Sequence, residues 1–420
     1  MNDTPSFHTR RQFLRTSVLG GAMTWTLPAF LNNTFLTLEA AAADSALQTA
    51  TGKDHPILVV LQLAGGNDGL NTVTPFGHDA YYQARPRLAL GKDVVLKLND
   101  AMGLHPSLTN LHRFFQDGKM AVLQNVGYPN PNRSHFRSME IWQTASDADR
   151  VATKGWLGSY FDNACSGEDA AVGISLGRQL PQAFSGDTGK GVASAVTGRQ
   201  QGNNEGPSMM EDGATITDFA GEGAVGGDVL DFLRRTDLDA TVSSAKISEI
   251  TNRIKIDREY PPTALGQQLK VVSQLIAGGM STRVYYATQG GYDTHSNQHN
   301  THERLLNDLD AALGAFVQDL QARGDLDRVL VMTFSEFGRR VAENASGGTD
   351  HGAAAPMFLL GGGSKPGLWG SSPDLLNLDR GDLRYEVDFR SVYATILDRW
   401  LKASSQQVLG RSFQAVPILG

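Results

Sequence analysis

The chain reads as an α/β protein, a three-layer α/β/α sandwich built on a largely parallel sheet. Three observations predict it. Short apolar runs such as VLVMTF (329–334) and PILVVLQL (56–63) are too short for typical helices and rich in strand formers, as strands buried on both faces are. Amphipathic helical stretches alternate with these runs. Polar, glycine-bearing clusters follow four of the five predicted strands. Ligand sites in open α/β sheets gather beyond the carboxyl ends of strands, so the chemistry is expected in those clusters.

The chain opens with a targeting pattern. Thr9-Arg10-Arg11-Gln12-Phe13-Leu14-Arg15 is a twin-arginine sequence, an uncharged run over 16–38 follows, and Ala41-Ala42-Ala43 supplies a small-residue cleavage site. Residues 1–43 are expected to be a Tat signal peptide and 44–420 the mature domain, periplasmic or secreted. No later stretch approaches the ~20 apolar residues of a spanning helix. The formal charge is −7, and loss of the leader, which carries +1, leaves −8. That balance argues against nucleic acid, whose phosphates require concentrated positive charge. The lone Cys165 allows no intramolecular disulfide and, without basic neighbours, reads as a bystander.

Taken in order, the strand over 56–63 runs into Ala64-Gly65-Gly66-Asn67-Asp68-Gly69, a sharp turn in which Asp68 offers a hard oxygen. A turn alone would explain the same residues. Residues 107–117 carry Leu108, Leu111, Phe114 and Phe115 at helical spacing, with Ser107 as a plausible cap. A strand over 120–126 leads through two prolines to a helix beginning near Asn132. Ser134 and His135 then fall in its first turn, where free N–H groups favour an anion, and Ser134 reads equally as cap or nucleophile.

The glycine-rich residues 185–227 read as an insertion or lid outside the core. Helices are expected over 243–258 and 264–277, and a strand over 282–288. That strand delivers Asp293, His295 and His299, which suit a divalent ion ahead of the alternative, a solvated helix start with surface histidines; His302 reads as surface. An amphipathic helix over 305–320 precedes the strand 329–334, which ends on Ser335-Glu336-Phe337-Gly338-Arg339. Asp350-His351-Gly352 follows, then a strand over 356–360 and a closing helix over 387–401.

The leader together with LAGGNDGLNT, NRSHFRSMEIWQ, GGYDTHSNQ, SEFGR and TDHG, in this order, resembles the exported bacterial family called domain of unknown function 1501. That family is placed with the alkaline phosphatase and sulfatase superfamily, so the resemblance implies a divalent metal site and hydrolysis of phosphate or sulfate esters. Residue by residue it implies metal ligation by Asp68, Asp293, His295, Glu336 and His351, with Asp350 as an added ligand or as a partner orienting His351. Ser134 stands as the nucleophile, and Arg137 or Arg339 as contacts to non-bridging oxygens. Zinc is the first expectation for the metal, calcium or manganese the alternatives. The substrate would be a small anionic ester or a sulfated or phosphorylated polymer.

Two departures stand out. Phe337 occupies a position where the superfamily has a histidine, and no Cys-x-Pro-Ser-Arg pattern marks a modified-cysteine sulfatase. They keep open a second reading, a secreted binding or assembly protein with a residual or structural metal.

Overall fold

All seven residues of β1 (Ile57–Leu63) are buried, and their alternation explains the layers. Ile57, Val59, Leu61 and Leu63 point into one apolar core, whereas Leu58 and Val60 point into another. The first core is closed by the helices Thr109–Gln116, Ala264–Ala277 and Gln298–Arg323, which contribute Leu111, Leu269 and Leu313. The second is closed by His135–Thr144, Trp156–Ala164 and Phe389–Thr395, through Trp142, Leu157 and Tyr393. One sheet between two helical layers is the expected sandwich. A computed structural model describes residues 55–165, 167–195 and 241–420.

The remaining strands are β2 (Val73–Thr74), β3 (Leu96–Lys97), β4 (Gly103–Leu104), β5 (Met120–Gly127), β6 (Gly173–Ser175), β7 (Val192–Ala193), β8 (Val284–Gln289), β9 (Val329–Phe334), β10 (Ala355–Gly361), β11 (Gly367–Trp369) and β12 (Val387–Asp388). The main sheet has the order β11-β5-β10-β9-β1-β8-β6-β7, with β12 beside β5. Val59 of β1 pairs with Tyr285 of β8 and Val331 of β9, both in parallel register. β10 runs against both of its neighbours, β5 and β9. Its amino end therefore lies at the edge where β1, β5, β8 and β9 finish. That single reversal brings the loop before β10 to the functional edge.

Several expectations shift. Residues 387–388 form a short strand before the helix Phe389–Thr395, which continues into a π-turn, Ile396–Trp400. The helix expected over 243–258 ends at 253. Ser107 does not cap its helix: Asp310, from the long helix, accepts from the backbone N–H of Asn110 at 3.0 Å and of Leu111 at 2.9 Å. The stretch 185–227 lies largely outside the described residues, but within it Val192 is buried and belongs to the sheet. Cys165 is buried, and burial pushes its thiol up to about 11, as befits an inert side chain. Among the described residues no helix is long and apolar enough to cross a membrane.

Candidate metal centre and nucleophile

Four loops meet at the shared edge. Gly65 and Gly66 leave β1 with φ of +119° and +77°, values that favour glycine. A Cβ on Gly65 would lie 2.5 Å from the Asp293 nitrogen, and one on Gly66 2.3 Å from the Phe337 ring. The backbone is thus packed directly against the residues after β8 and β9. Gly65 N–H donates to Glu336 Oε1 at 2.9 Å, and Asn67 N–H donates to Ser335 Oγ at 2.8 Å.

At the centre lies Asp293. His295 Nε2 and His351 Nε2 stand 3.0 and 3.1 Å from its Oδ1, and His135 Nε2 stands 3.4 Å from its Oδ2. The Nε2 atoms of His295 and His351 are 2.9 Å apart. Ligand atoms of His135, Asp293 and His351 all fall within 4.8 Å of one another. Burial would raise the Asp293 carboxyl, but the hydrogen bonds and charge of Arg339, with a hydrogen bond to His351, outweigh it and hold it near 2. Asp293 is therefore an anion at neutral pH.

The other ring nitrogens each face an oxygen acceptor. Nδ1 of His135 faces Glu336 Oε1 at 2.8 Å, Nδ1 of His295 faces Asp350 Oδ1 at 3.2 Å, and Nδ1 of His351 faces the Arg133 carbonyl at 2.8 Å. Each of these partners can only accept, so each Nδ1 can donate to it. In that tautomer the Nε2 atoms of all three rings are free to turn lone pairs toward a cation beside the Asp293 carboxylate. His135 Nε2 is buried and has no hydrogen-bond partner. Tetrahedral ligands at 2.0–2.1 Å from an ion lie roughly 3.3 Å apart, close to the spacings found here. The donor set fits a divalent metal.

Glu336 and Asp350 serve this cluster indirectly. Glu336 is buried and spends Oε1 on His135 and Gly65, which orients the imidazole instead of presenting the carboxylate. The hydrogen bond that Glu336 accepts also raises His135 above its ordinary value, against burial. Asp350 orients His295, not His351.

Asp68 goes elsewhere. Its carboxylate lies in a buried ion pair with Arg85 Nη1 at 2.6 Å and also accepts from Gln298, a separate network from the three imidazoles. Arg85 reaches on to the carbonyls of Val341 and Arg340, stapling the two loops together.

The arginines are also committed. Arg339 is fully buried, with Nε donating to the Gly66 carbonyl at 2.6 Å and Nη1 to that of Thr349 at 2.8 Å. Its Nη2 serves the carbonyls of Gly65 and Tyr292 and Asp293 Oδ1, the last at 2.7 Å. It is a strut that fixes Asp293, not a free anion contact. Arg137 pairs with Glu140 and donates to the carbonyls of Asp147, Ala148 and Arg150. Ser134 is exposed at the start of the helix His135–Thr144, and its side chain makes no capping bond. Phe337 is buried against the cluster, its ring 4.6 Å from that of His351 and 5.0 Å from that of His135.

Two histidines depart from expectation. His299 is exposed, so the partner of His295 is His351. His302 is buried, bonded to Asn67 Oδ1 at 2.9 Å, and burial pushes it down to about 4. The residue absent from the expected ligand set is His135. Its signal was its place next to Ser134 in NRSHFRS.

Residues 56–409 match the family described as "Protein of unknown function (DUF1501)", and the chain belongs to that family. Solved structures that resemble it include the phosphonate monoester hydrolase of Agrobacterium radiobacter, at 10% identity and a TM-score of 0.40, covering 86% of this chain and 78% of that one. Another is the C-terminal periplasmic domain of EcEptC from Escherichia coli in complex with Zn, at 12% identity and a TM-score of 0.37, covering 74% of each chain. The PsFucS1 sulfatase from Pseudoalteromonas sp. matches at 12% identity and 0.37, over 89% of this chain and 75% of that one. A comparison with curated proteins gives no match.

Proposed function

We propose that the protein is an exported metal-dependent hydrolase of phosphate or sulfate esters. The observation that carries this is the convergence of three imidazole Nε2 atoms, on His135, His295 and His351, upon the Asp293 carboxylate. An imidazole-rich set suits zinc; calcium, which takes six to eight oxygens, fits it poorly. A divalent cation held there supplies Lewis acidity toward an ester oxygen. Ser134 offers an exposed hydroxyl beside these residues, at a helix start whose free N–H groups favour an anion. Glu336, Asp350 and the Arg133 carbonyl keep the three Nδ1 protons in place, and Arg339 keeps Asp293 ionised and aimed. The twin-arginine pattern at residues 9–15 supports a site of action outside the cytoplasm.

The test is turnover of aryl phosphate and aryl sulfate esters by the metal-loaded mature protein and by Ser134→Ala. A Ser134→Ala enzyme as fast as wild type removes Ser134 from the nucleophile role, whereas a loss of about a hundredfold or more supports it.

Phe337 favours a second reading. Its ring walls one side of the cluster, and Arg137 and Arg339 are spent on protein groups, as a non-catalytic protein with a structural metal would allow. A coordination position accessible to small anions separates the readings, because structural sites are closed.

A further inference from the structure

A cleft of about 670 Å³ opens beside the candidate centre, lined in part by Asn132, Arg133, Ala353, Arg380, Asp382 and Tyr385. Asn132 Oδ1 accepts from Ser134 N–H at 2.8 Å, and the Arg133 carbonyl accepts from His351. Ala353 lies two residues beyond His351. The volume falls within the roughly 300–1,000 Å³ of small-molecule sites.

We propose that Arg133, backed by Arg340, forms an oxyanion-binding subsite in this cleft, one that takes a sulfate or phosphate group. The proposal rests on the ester-hydrolase reading and supplies what that reading lacks, a cation able to meet substrate. Arg339 is fully buried on protein acceptors and Arg137 is tied to three carbonyls. Arg133 is 38% exposed and directs Nε and Nη2 at a single oxygen, Oδ2 of Asp382. Arg340 approaches the other oxygen, Oδ1, only to 3.8 Å, and that buried atom has no hydrogen-bond partner. The cleft lining sets Arg133, Arg380 and Arg384 against Asp379, Asp382 and Glu386, and Arg340 adds its charge from behind Asp382. The Asp382 carboxylate holds the Nε–Nη2 side of Arg133 and so sets the guanidinium plane, leaving Nη1 and the outer N–H of Nη2 as the pair a tetrahedral oxyanion would meet.

The experiment is calorimetric titration of the metal-loaded mature protein with inorganic phosphate and, separately, inorganic sulfate, with metal content measured on every sample. Binding is expected for wild type, and Arg133→Met should weaken it about tenfold or more with metal content unchanged. Arg133→Lys, which keeps the charge but not the fork, should fall between. The double variant Arg133→Met with Asp382→Asn strands no carboxylate, so a loss that persists there belongs to the guanidinium and not to misfolding. Whichever anion binds more tightly names the ester class. Wild type that binds neither anion, or Arg133→Met and the double variant that bind as wild type does, overturns the subsite. If Arg133→Met loses anion binding while wild type turns over no ester, the subsite stands and the hydrolase reading falls. If wild type turns over esters but anion binding ignores Arg133, the reverse holds.

Discussion

Glu336 Oε1 lies 2.8 Å from His135 Nδ1, and the same oxygen accepts the Gly65 amide at 2.9 Å. One buried carboxylate thus fixes both the loop after β1 and the imidazole at the start of the helix His135–Thr144. Glu336→Gln keeps the shape and removes the charge that makes His135 a stronger base. Its metal affinity should fall about 10- to 100-fold with the fold intact, as measured by competition with a chelating indicator. An unchanged affinity would remove Glu336 from this role.

Arg339 ties the carbonyls of Gly65, Gly66, Tyr292 and Thr349 to Asp293. A lysine ammonium has three donors on a flexible stem and cannot span that set. Arg339→Lys leaves buried carbonyls unpaired at about 1–3 kcal/mol each, so urea denaturation should show a loss of at least about 2 kcal/mol. Metal content should fall with it, because Asp293 loses its anchor.

Much of this arrangement could be read in the sequence, and the misses share a cause. Val329–Phe334 and Ala264–Ala277 form where apolar spacing puts them, because both elements bury what the pattern marks as apolar. His302 misled because it is polar, yet it stands with Gln298, Leu305, Leu306 and Leu309 on the buried face of the long helix, at helical spacing. Asp293, His295 and His351 were expected and do meet. What spacing could not show is which end of a side chain is spent. Glu336 and Asp350 read from spacing as ligands, and in the structure each has an oxygen on an imidazole Nδ1. Arg137 and Arg339 look like free cations until their donors are traced to carbonyls. Those pairings range from Arg339 and Thr349, 10 positions apart, to His135 and Glu336, 201 apart, and follow no helix or strand period.

The Asp68–Arg85 pair predicts a pH dependence. Burial alone would raise the Asp68 carboxyl, but the charge and hydrogen bond of Arg85 outweigh it and hold it below the ordinary 3.8. A folded-state value lowered in this way contributes stability that is present above 3.8 and lost as pH falls through the folded value. Asp68→Asn strands a buried guanidinium and should cost about 3–5 kcal/mol at neutral pH. In denaturant melts the gap between wild type and variant should narrow only in acid below 3.8. A gap independent of pH would contradict the pairing.

The central claim is that His135, His295, His351 and Asp293 hold one metal ion. The most direct test is elemental analysis of the folded mature protein, purified without chelator and offered zinc, beside His135→Ala, His351→Ala and Asp68→Ala. Wild type and folded Asp68→Ala should each carry close to one zinc per chain, and both histidine variants should lose that metal while they remain folded. Metal retained in His135→Ala but lost in Asp68→Ala, or a wild-type protein that takes up none, would contradict this claim.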